Sequence, residues 1–324
     1  MDQTLTAKKT DVVAILWNLL INLRSLIILV LLGVLFTILS PYFLLARNFA
    51  NIGMQIASVA IGAFGMTFVI TTGGIDLSVG SILALTSVFT GWFISTYHWN
   101  LWATIAAILL IGMLMGSVNG AGVVYLKIEP LLMTLATMFI YRGIGLRLTG
   151  GRPVPINSPL FKTIFAGGVV IGIPSPVLIT LVLLIFCWFL LSKTIFGYNV
   201  RAVGGNIEAA RVAGINFSLT KLITYSFMGL MAAAAGFIVS GRLAHGIPTI
   251  GETFALDCVA AVILGGTALA GGRGTILGTI VGAMIMGVLN NGMTLLGSQY
   301  YTELIVKGIV ICVAVVIDNV TRRR

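Results

Sequence analysis

The sequence predicts an all-α, polytopic integral membrane protein of about ten transmembrane helices, with a five-plus-five inverted repeat and both termini cytoplasmic. Three observations carry that prediction: the composition, the spacing of charge along the chain, and the uneven sharing of Lys and Arg between alternate loops. Of the 324 residues, 58% are hydrophobic and 9% are charged, whereas a soluble domain carries roughly 25% charged residues. The apolar residues alone suffice for about nine spans of ~20 residues each. With Gly, Ser and Thr filling further positions, eight to eleven spans are expected, and the loops left over are too short to bury a core of their own.

An ionised side chain at mid-bilayer costs at least ~2.5 to 3.5 kcal/mol, so charge-free runs locate the spans. Residues 25–46, 48–75, 77–126, 163–192, 222–241 and 274–302 contain no Asp, Glu, Lys or Arg. The run 77–126 is long enough for two helices. Within it Trp92, Ser95, Thr96, Tyr97, His98, Trp99, Asn100 and Trp102 mark an interfacial turn, which makes His98 a headgroup-level residue rather than a metal ligand. The expected spans are 25–41, 50–71, 75–95, 101–126, 130–149, 172–191, 220–241, 255–270, 275–296 and 301–318. All eight prolines fall at or beyond the ends of these spans, where a missing N–H costs little.

The chain then divides into a cytoplasmic N-terminal segment (1–24), a single transmembrane domain (25–318) and a basic cytoplasmic tail (319–324). The first segment is too polar for a signal peptide. With the N-terminus inside, twelve of the nineteen Lys and Arg residues fall on the cytoplasmic side, six on the other, and Lys307 lies within the last span. This is the positive-inside bias. It accounts for the net charge of +10 without a nucleic-acid partner. Cys187, Cys258 and Cys312 lie in apolar stretches with no paired spacing, so neither a disulfide framework nor a zinc site is expected.

Ten spans with both ends on one side divide into five plus five, and an odd repeat unit must be inverted. A shift of 171 positions sets Met113, Met115, Gly116 and Asn119 on Met284, Met286, Gly287 and Asn290. Gly112, Gly116 and Gly120 in the fourth span, and Gly274, Gly278 and Gly282 in the ninth, recur every fourth residue. Such spacing lets helix backbones approach closely, so close packing is expected there.

Few residues offer chemistry. The ionisable groups at membrane depth are Asp76, Asp257, Glu303 and Lys307. Asp76 and Asp257 are expected to cap helix starts, and Glu303 to pair with Lys307 one turn on. No chain of acids crosses the membrane, which weakens an ion-coupled transporter or channel built on Asp76 and Glu303. There is no hydrolase or metalloprotease constellation and no G-x-x-x-x-G-K-[ST] phosphate loop. The chain is therefore expected to have no catalytic residues, cofactor or metal of its own, and any ATPase must be another polypeptide.

The longest loop, 193–221, is polar in an otherwise apolar chain. Gly204-Gly205 gives a turn, Asn206 an N-cap, Ile207 to Ala213 a short helix, and Gly214 its stop. A short helix held between two spans is a lever on which a soluble motor can act. Glu208-Ala209-Ala210, then Arg211, and Gly214 resembles the cytoplasmic EAA loop of binding-protein-dependent ABC importers, whose helix docks in a groove of the ATPase subunit.

The likeness extends over most of the chain. ITTGGIDLSVGS (70–81), GSVNGAGVVYLKIEPLLMTLATMFIYRGI (116–144), FGYNVRAVGGNIEAARVAGI (196–215) and LDCVAAVILGGTALAGGRGTILGTIVGAMIMGVLNNGMTLLG (256–297) are similar, in that order, to the bacterial permeases for ribose, xylose, arabinose and galactose. One departure is Ala255, where that family commonly has Glu. The resemblance implies a dimeric ten-span permease of the bacterial inner membrane. Its expected partners are a second permease copy, membrane lipid, an ATP-binding subunit that uses ATP and magnesium, and a periplasmic sugar-binding protein. Transport would proceed by alternating access, and the cargo could instead be a nucleoside, an amino acid or a sugar-like signal molecule.

In such a machine the permease needs only a weakly polar path. Thr71, Thr72, Asp76, Ser78, Asn119, Asn290 and Asn291 are the candidates, since amides and hydroxyls exchange hydrogen bonds with sugar hydroxyls without holding them. The bland reading of each is an interhelical hydrogen bond. Arg47, Arg152, Lys162 and Arg242 are the candidates for steering a binding protein from outside. Gly204, Gly205, Asn206, Glu208, Ala209, Ala210, Arg211 and Gly214 are those for coupling to the ATPase.

Overall fold

A computed structural model describes residues 12–170 and 172–322. The helices are α1 (Val12–Leu39), α2 (Ala46–Thr71), α3 (Val79–Gly91, continuing as a π-helical turn Trp92–Thr96), α4 (Leu101–Val124), α5 (Pro130–Thr149), α6 (Pro159–Phe165), α7 (Ser175–Lys193), α8 (Ile195–Gly205), α9 (Ile207–Val212), α10 (Phe217–Leu243), α11 (Phe254–Leu264), α12 (Ile276–Leu295) and α13 (Tyr300–Arg322). Two short antiparallel ladders join β1 (Val154–Pro155) to β4 (His245–Gly246) and β2 (Val169–Val170) to β3 (Ile173–Pro174). Each expected span contains one helix. Among the described residues, α2, α3 with its π turn, α4, α5, α7, α10 and α12 are long and apolar enough to cross a membrane.

Local chemistry sets the ends. The Asn100 side chain accepts from the Trp102 N–H at 2.8 Å to open α4, and Asn216 does the same for Leu219 at 2.9 Å to open α10. Pro130 occupies the first turn of α5, where its absent N–H would have no partner in any case. Gly150, with φ +60°, closes that helix.

The packing inverts that of a soluble protein. α2 is the hub: every residue from 57 to 72 is buried, and α10, α12, α11 and α7 surround it. The perimeter is greasy, with Val30 and Ile38 of α1, Ile140 of α5, Val182 of α7 and Ile305 of α13 all exposed. Lipid tails are as apolar as these side chains and give no hydrophobic drive between helices, so close backbone contact must hold the bundle together. The glycine rows supply it. Gly116 of α4 lies against the Tyr225 carbonyl and the Gly229 N–H of α10, and Gly278 and Gly282 of α12 lie against Gly265 and Ala261. The expected packing role of both rows is thus what the fold uses. The contacts also pair off as two five-helix units would require: α4 packs on α10 as α12 packs on α2, and α3 on α10 as α11 on α2.

The eighth span differs from expectation. Only residues 254–264 are helical, about 16 Å of helix against a hydrocarbon core of ~30 Å. Gly265, against α12, follows the last turn, and Gly266 turns the chain at φ +87°. The approach to α11 is non-helical too: Gly246 lies against Ser87 and Val88, Pro248 beside Gly145, and Gly251 against Gly80. Residues 244–253 therefore run back along α3, with Gly246 and Pro248 buried against the bundle and His245, Thr249 and Glu252 exposed, so protein covers much of the irregular backbone, as the bilayer demands.

A methyl group at Gly116 would sit 3.0 Å from the Gly229 nitrogen and closer still to the Tyr225 carbonyl, whereas one at Gly143 meets nothing within 4 Å. Gly116→Ala should therefore sharply lower the yield of folded protein and its thermal midpoint in detergent, and Gly143→Ala should leave both unchanged.

Candidate functional site

The helix expected in the 193–221 loop is present as α9. The Asn206 side chain accepts from the Ala209 N–H at 3.0 Å. At the other end the Ile215 N–H donates to the Ala210 carbonyl at 3.0 Å, with Gly214 at φ +79°. Ala210 is buried and anchors the turn, while Glu208, Ala209, Arg211 and Val212 are exposed. Glu208 pairs with Arg211 at 3.3 Å, and the Arg211 guanidinium lies over the Phe217 ring. Val212 is 90% exposed, a bare apolar side chain beside a surface ion pair.

Glycines seat this lever on the transmembrane core. Gly204, near the end of α8, lies against the Thr71 carbonyl and the Gly272 nitrogen. The Gly272 N–H donates to that same carbonyl at 2.9 Å. The end of α2, the end of α8 and the loop 265–275 thus meet at one point, and Phe196 of α8 stacks on Phe68 of α2. A cavity of about 350 Å³ beside the junction is lined by Thr72, Gly204, Gly205, Asn206, Glu208 and Lys221, among others.

One helical layer deeper lies a polar knot at the α2–α3 break. Asp76 Oδ1 accepts from the Ser78 N–H at 2.8 Å and from Ser78 Oγ at 2.6 Å. Asn119 Nδ2 donates to Ser78 Oγ at 2.7 Å and to Asp76 Oδ2 at 3.4 Å, and Asn119 Oδ1 accepts from Thr137 Oγ1 at 2.6 Å. Asp76, Ser78 and Asn119 are fully buried. The Tyr225 hydroxyl, packed against Gly74, has no partner among the described residues. Asp76 holds the turn that starts α3, a role close to the capping expected of it. Thr71 and Thr72 bond back into α2, to the Thr67 and Val69 carbonyls.

The remaining candidates lie elsewhere. Asn291 forms a reciprocal amide pair with Asn48 of α2, at 3.0 and 2.9 Å. Asn290, its neighbour, has a buried side-chain oxygen without a partner among the described residues. Arg47, Arg152, Lys162 and Arg242 are all exposed at the end of the bundle opposite α9. There α6 packs Phe161 and Phe165 on Phe237 of α10.

Two features differ from the sequence reading. Lys307 does not pair with Glu303: its ammonium lies 3.1 Å from Asp257 Oδ2, with both side chains largely buried. Tertiary packing of α13 on α11 overrides the local spacing. Arg142, counted with the loop cations, sits within α5 and is half-buried. Its Nη1 donates to the Pro248 and Ile250 carbonyls at 2.5 and 2.7 Å. Its signal was available in the sequence as a cation inside an apolar span seven residues from the helix end.

The fold defines a class, a polytopic permease with a lever helix at one end. Residues 48–315 match the family described as branched-chain amino acid transport system / permease component, and the chain belongs to that family. It is 42% identical to the ribose import permease protein RbsC of Escherichia coli K12, over 93% of this chain and 94% of that protein. It is 44% identical to RbsC of Bacillus subtilis 168, over 90% of each. With the xylose transport system permease protein XylH of Escherichia coli K12 it shares 35% identity over 87% of each chain. No solved structure matches it. The chain is thus a multi-pass membrane permease of the bacterial inner membrane.

Breaking one side of a buried ion pair costs about 3–5 kcal/mol, while replacing both partners by apolar groups is nearly neutral. Lys307→Met should therefore lower the thermal midpoint in detergent markedly, and Lys307→Met with Asp257→Leu should recover most of the loss. Glu303→Gln should leave the midpoint unchanged.

Proposed function

We propose that the chain is the membrane subunit of an ATP-driven, binding-protein-dependent importer that moves a monosaccharide inward by alternating access. The observation that carries the coupling is the α8–α9 seat. A helix of fixed geometry, exposed on one face, is tied through Gly204 and Gly272 to the last carbonyl of α2, the hub of the bundle. A push on α9 reaches the core through rigid backbone contacts rather than through a flexible loop. Glu208, Ala209, Arg211 and Val212 form the surface that an ATP-binding subunit, supplied with ATP and magnesium, would grip. Gly204, Gly205, Asn206, Ala210 and Gly214 shape it.

The ribose and xylose permeases named above are the support for a sugar cargo, while the family description, which names branched-chain amino acids, keeps an amino acid as the second reading. Thr71, Thr72, Asp76, Ser78 and Asn119 lie where the knot meets the lever, so they are assigned to the path. Asn290 joins them through its partnerless oxygen, and Asn291 through its place beside it. Arg47, Arg152, Lys162 and Arg242 would meet acidic groups of a periplasmic sugar-binding protein, and a second permease copy would complete the channel among membrane lipids. An ion-coupled mechanism built on Asp76 and Glu303 fits less well, because hydrogen-bond donors from Ser78 and Asn119 already occupy Asp76.

Gentle purification from the native membrane should bring down a polypeptide with a nucleotide-binding phosphate loop. Glu208→Arg, which sets two like charges at the lever's surface, should detach it and abolish uptake while leaving the permease folded. An intact complex with full uptake in that variant would contradict the coupling assignment. Asn119→Leu, which removes bonds to Ser78, Asp76 and Thr137, should slow uptake several-fold while ATP hydrolysis remains responsive to the loaded binding protein.

A further inference from the structure

Where α3, α5 and the irregular segment 244–253 meet, they line a second, partly open cavity, about 290 Å³ and separate from the one beneath the lever. Its walls include Leu77, Met138, Phe139, Arg142, Thr249 and Glu252. We propose that this cavity is the station through which the cargo passes, and that Arg142, Glu252 and Thr249 select a neutral polyhydroxylated solute there. The inference rests on the monosaccharide reading above and deepens it by naming the residues that recognise the sugar.

Four observations lead to it. A cation in a transmembrane helix is expensive unless it faces protein or a watered cavity. Arg142 faces both, through two main-chain carbonyls on one side and the cavity on the other. A guanidinium has five N–H donors. The two bonds recorded both come from Nη1, which leaves the N–H groups of Nη2 and Nε without a partner among the described residues. Second, the Glu252 carboxylate is exposed and has no hydrogen-bond or ion-pair partner among the described residues. Third, Thr249 adds a hydroxyl, while Leu77, Met138 and Phe139 supply an apolar wall. Fourth, irregular backbone at membrane depth is tolerated where it lines a cavity, and 244–253 does so.

This mixture suits a sugar. A hydroxyl both donates and accepts, so neighbouring hydroxyls can meet a guanidinium edge on one side and a carboxylate on the other. The C–H face of the ring then rests on Phe139. The site carries one positive and one negative group, and two carbonyl oxygens already partly compensate the guanidinium without any ligand. A neutral solute therefore leaves no charge uncompensated. The cavity lies at the low end of the volumes used for small ligands, about 300 Å³ and upward, which suits a monosaccharide in transit.

The test uses the whole importer in phospholipid vesicles, with a panel of radiolabelled neutral pentoses and hexoses and their monodeoxy analogues as probes. Glu252 is the residue to change, because it is exposed and holds no part of the fold; Thr249→Val is the second variant. The readout is sugar delivered per ATP hydrolysed, which a general loss of folded protein does not alter. Glu252→Gln should lower that ratio about tenfold, the usual worth of a hydrogen bond to a charged group. It should also narrow the difference between a sugar and one of its deoxy analogues. Wild-type ratios and wild-type discrimination in both variants would overturn the assignment of the cavity and leave the importer reading standing. If wild-type vesicles carry none of the sugars but do carry an amino acid, the monosaccharide reading falls and the inference with it.

Discussion

The constraint on which this structure depends is that lipid offers a backbone N–H or C=O no partner. In water a break in a helix is cheap; here each one has to be covered by protein. The break between α2 and α3 is covered by Asp76, Ser78 and Thr134, the last through its hydroxyl, which accepts from the Leu77 N–H at 3.1 Å. The segment 244–253 is covered by α3 and by Arg142, whose guanidinium takes up two of its carbonyls. The loop 265–275 is covered by the end of α2 and by Gly204. The places where the chain departs from regular helix are thus the places where polar side chains and cavities gather, and those are the places to which function is assigned.

The same constraint explains the glycines. A bundle with no hydrophobic drive between its helices is held by backbone proximity, and such close approaches sit on the α4–α10 and α11–α12 contacts and where Gly204 of α8 meets the Thr71 carbonyl of α2. Buried polar pairs add direction to that packing. Ser117 and Ser226 join α4 to α10 at 2.7 Å, Thr67 and Thr279 join α2 to α12 at 2.8 Å, and Asn48 with Asn291 ties the far end of the same pair. Because α2 carries contacts to the lever at one end and to α12 along its length, movement at α9 has a rigid route into the bundle.

Much of this was legible in the sequence, for physical reasons. Charge-free runs mark helices because charge in lipid is costly, and the Asn206 to Gly214 helix is announced by its own cap and stop. What was hidden depended on residues distant in the chain. Lys307 has an acid four residues away, yet it pairs with Asp257, fifty residues away. Asn48 carries no local signal, although it completes Asn291. The eighth span reads as continuous because residues 258–270, after Asp257, carry no charge. Its true limits are set by Gly265 against α12 and by Gly251 against Gly80, contacts no local pattern encodes. A cation near a span's end, such as Arg142, resembles a loop residue until the chain that covers it is seen.

The central claim is that α9 transmits force from a separate ATP-binding polypeptide to the transmembrane bundle. The most direct measurement is proximity: replace the exposed Cys312 by Ser, introduce Val212→Cys, attach a short photo-reactive cross-linker in native membranes, and identify the adduct by mass spectrometry. Cys187 and Cys258 are buried and should stay silent. The account predicts one dominant adduct, to a polypeptide bearing a nucleotide-binding phosphate loop, with a yield that changes when ATP is added. No adduct at Val212, with one forming instead from a cysteine placed at Arg152 on the opposite end, would contradict it.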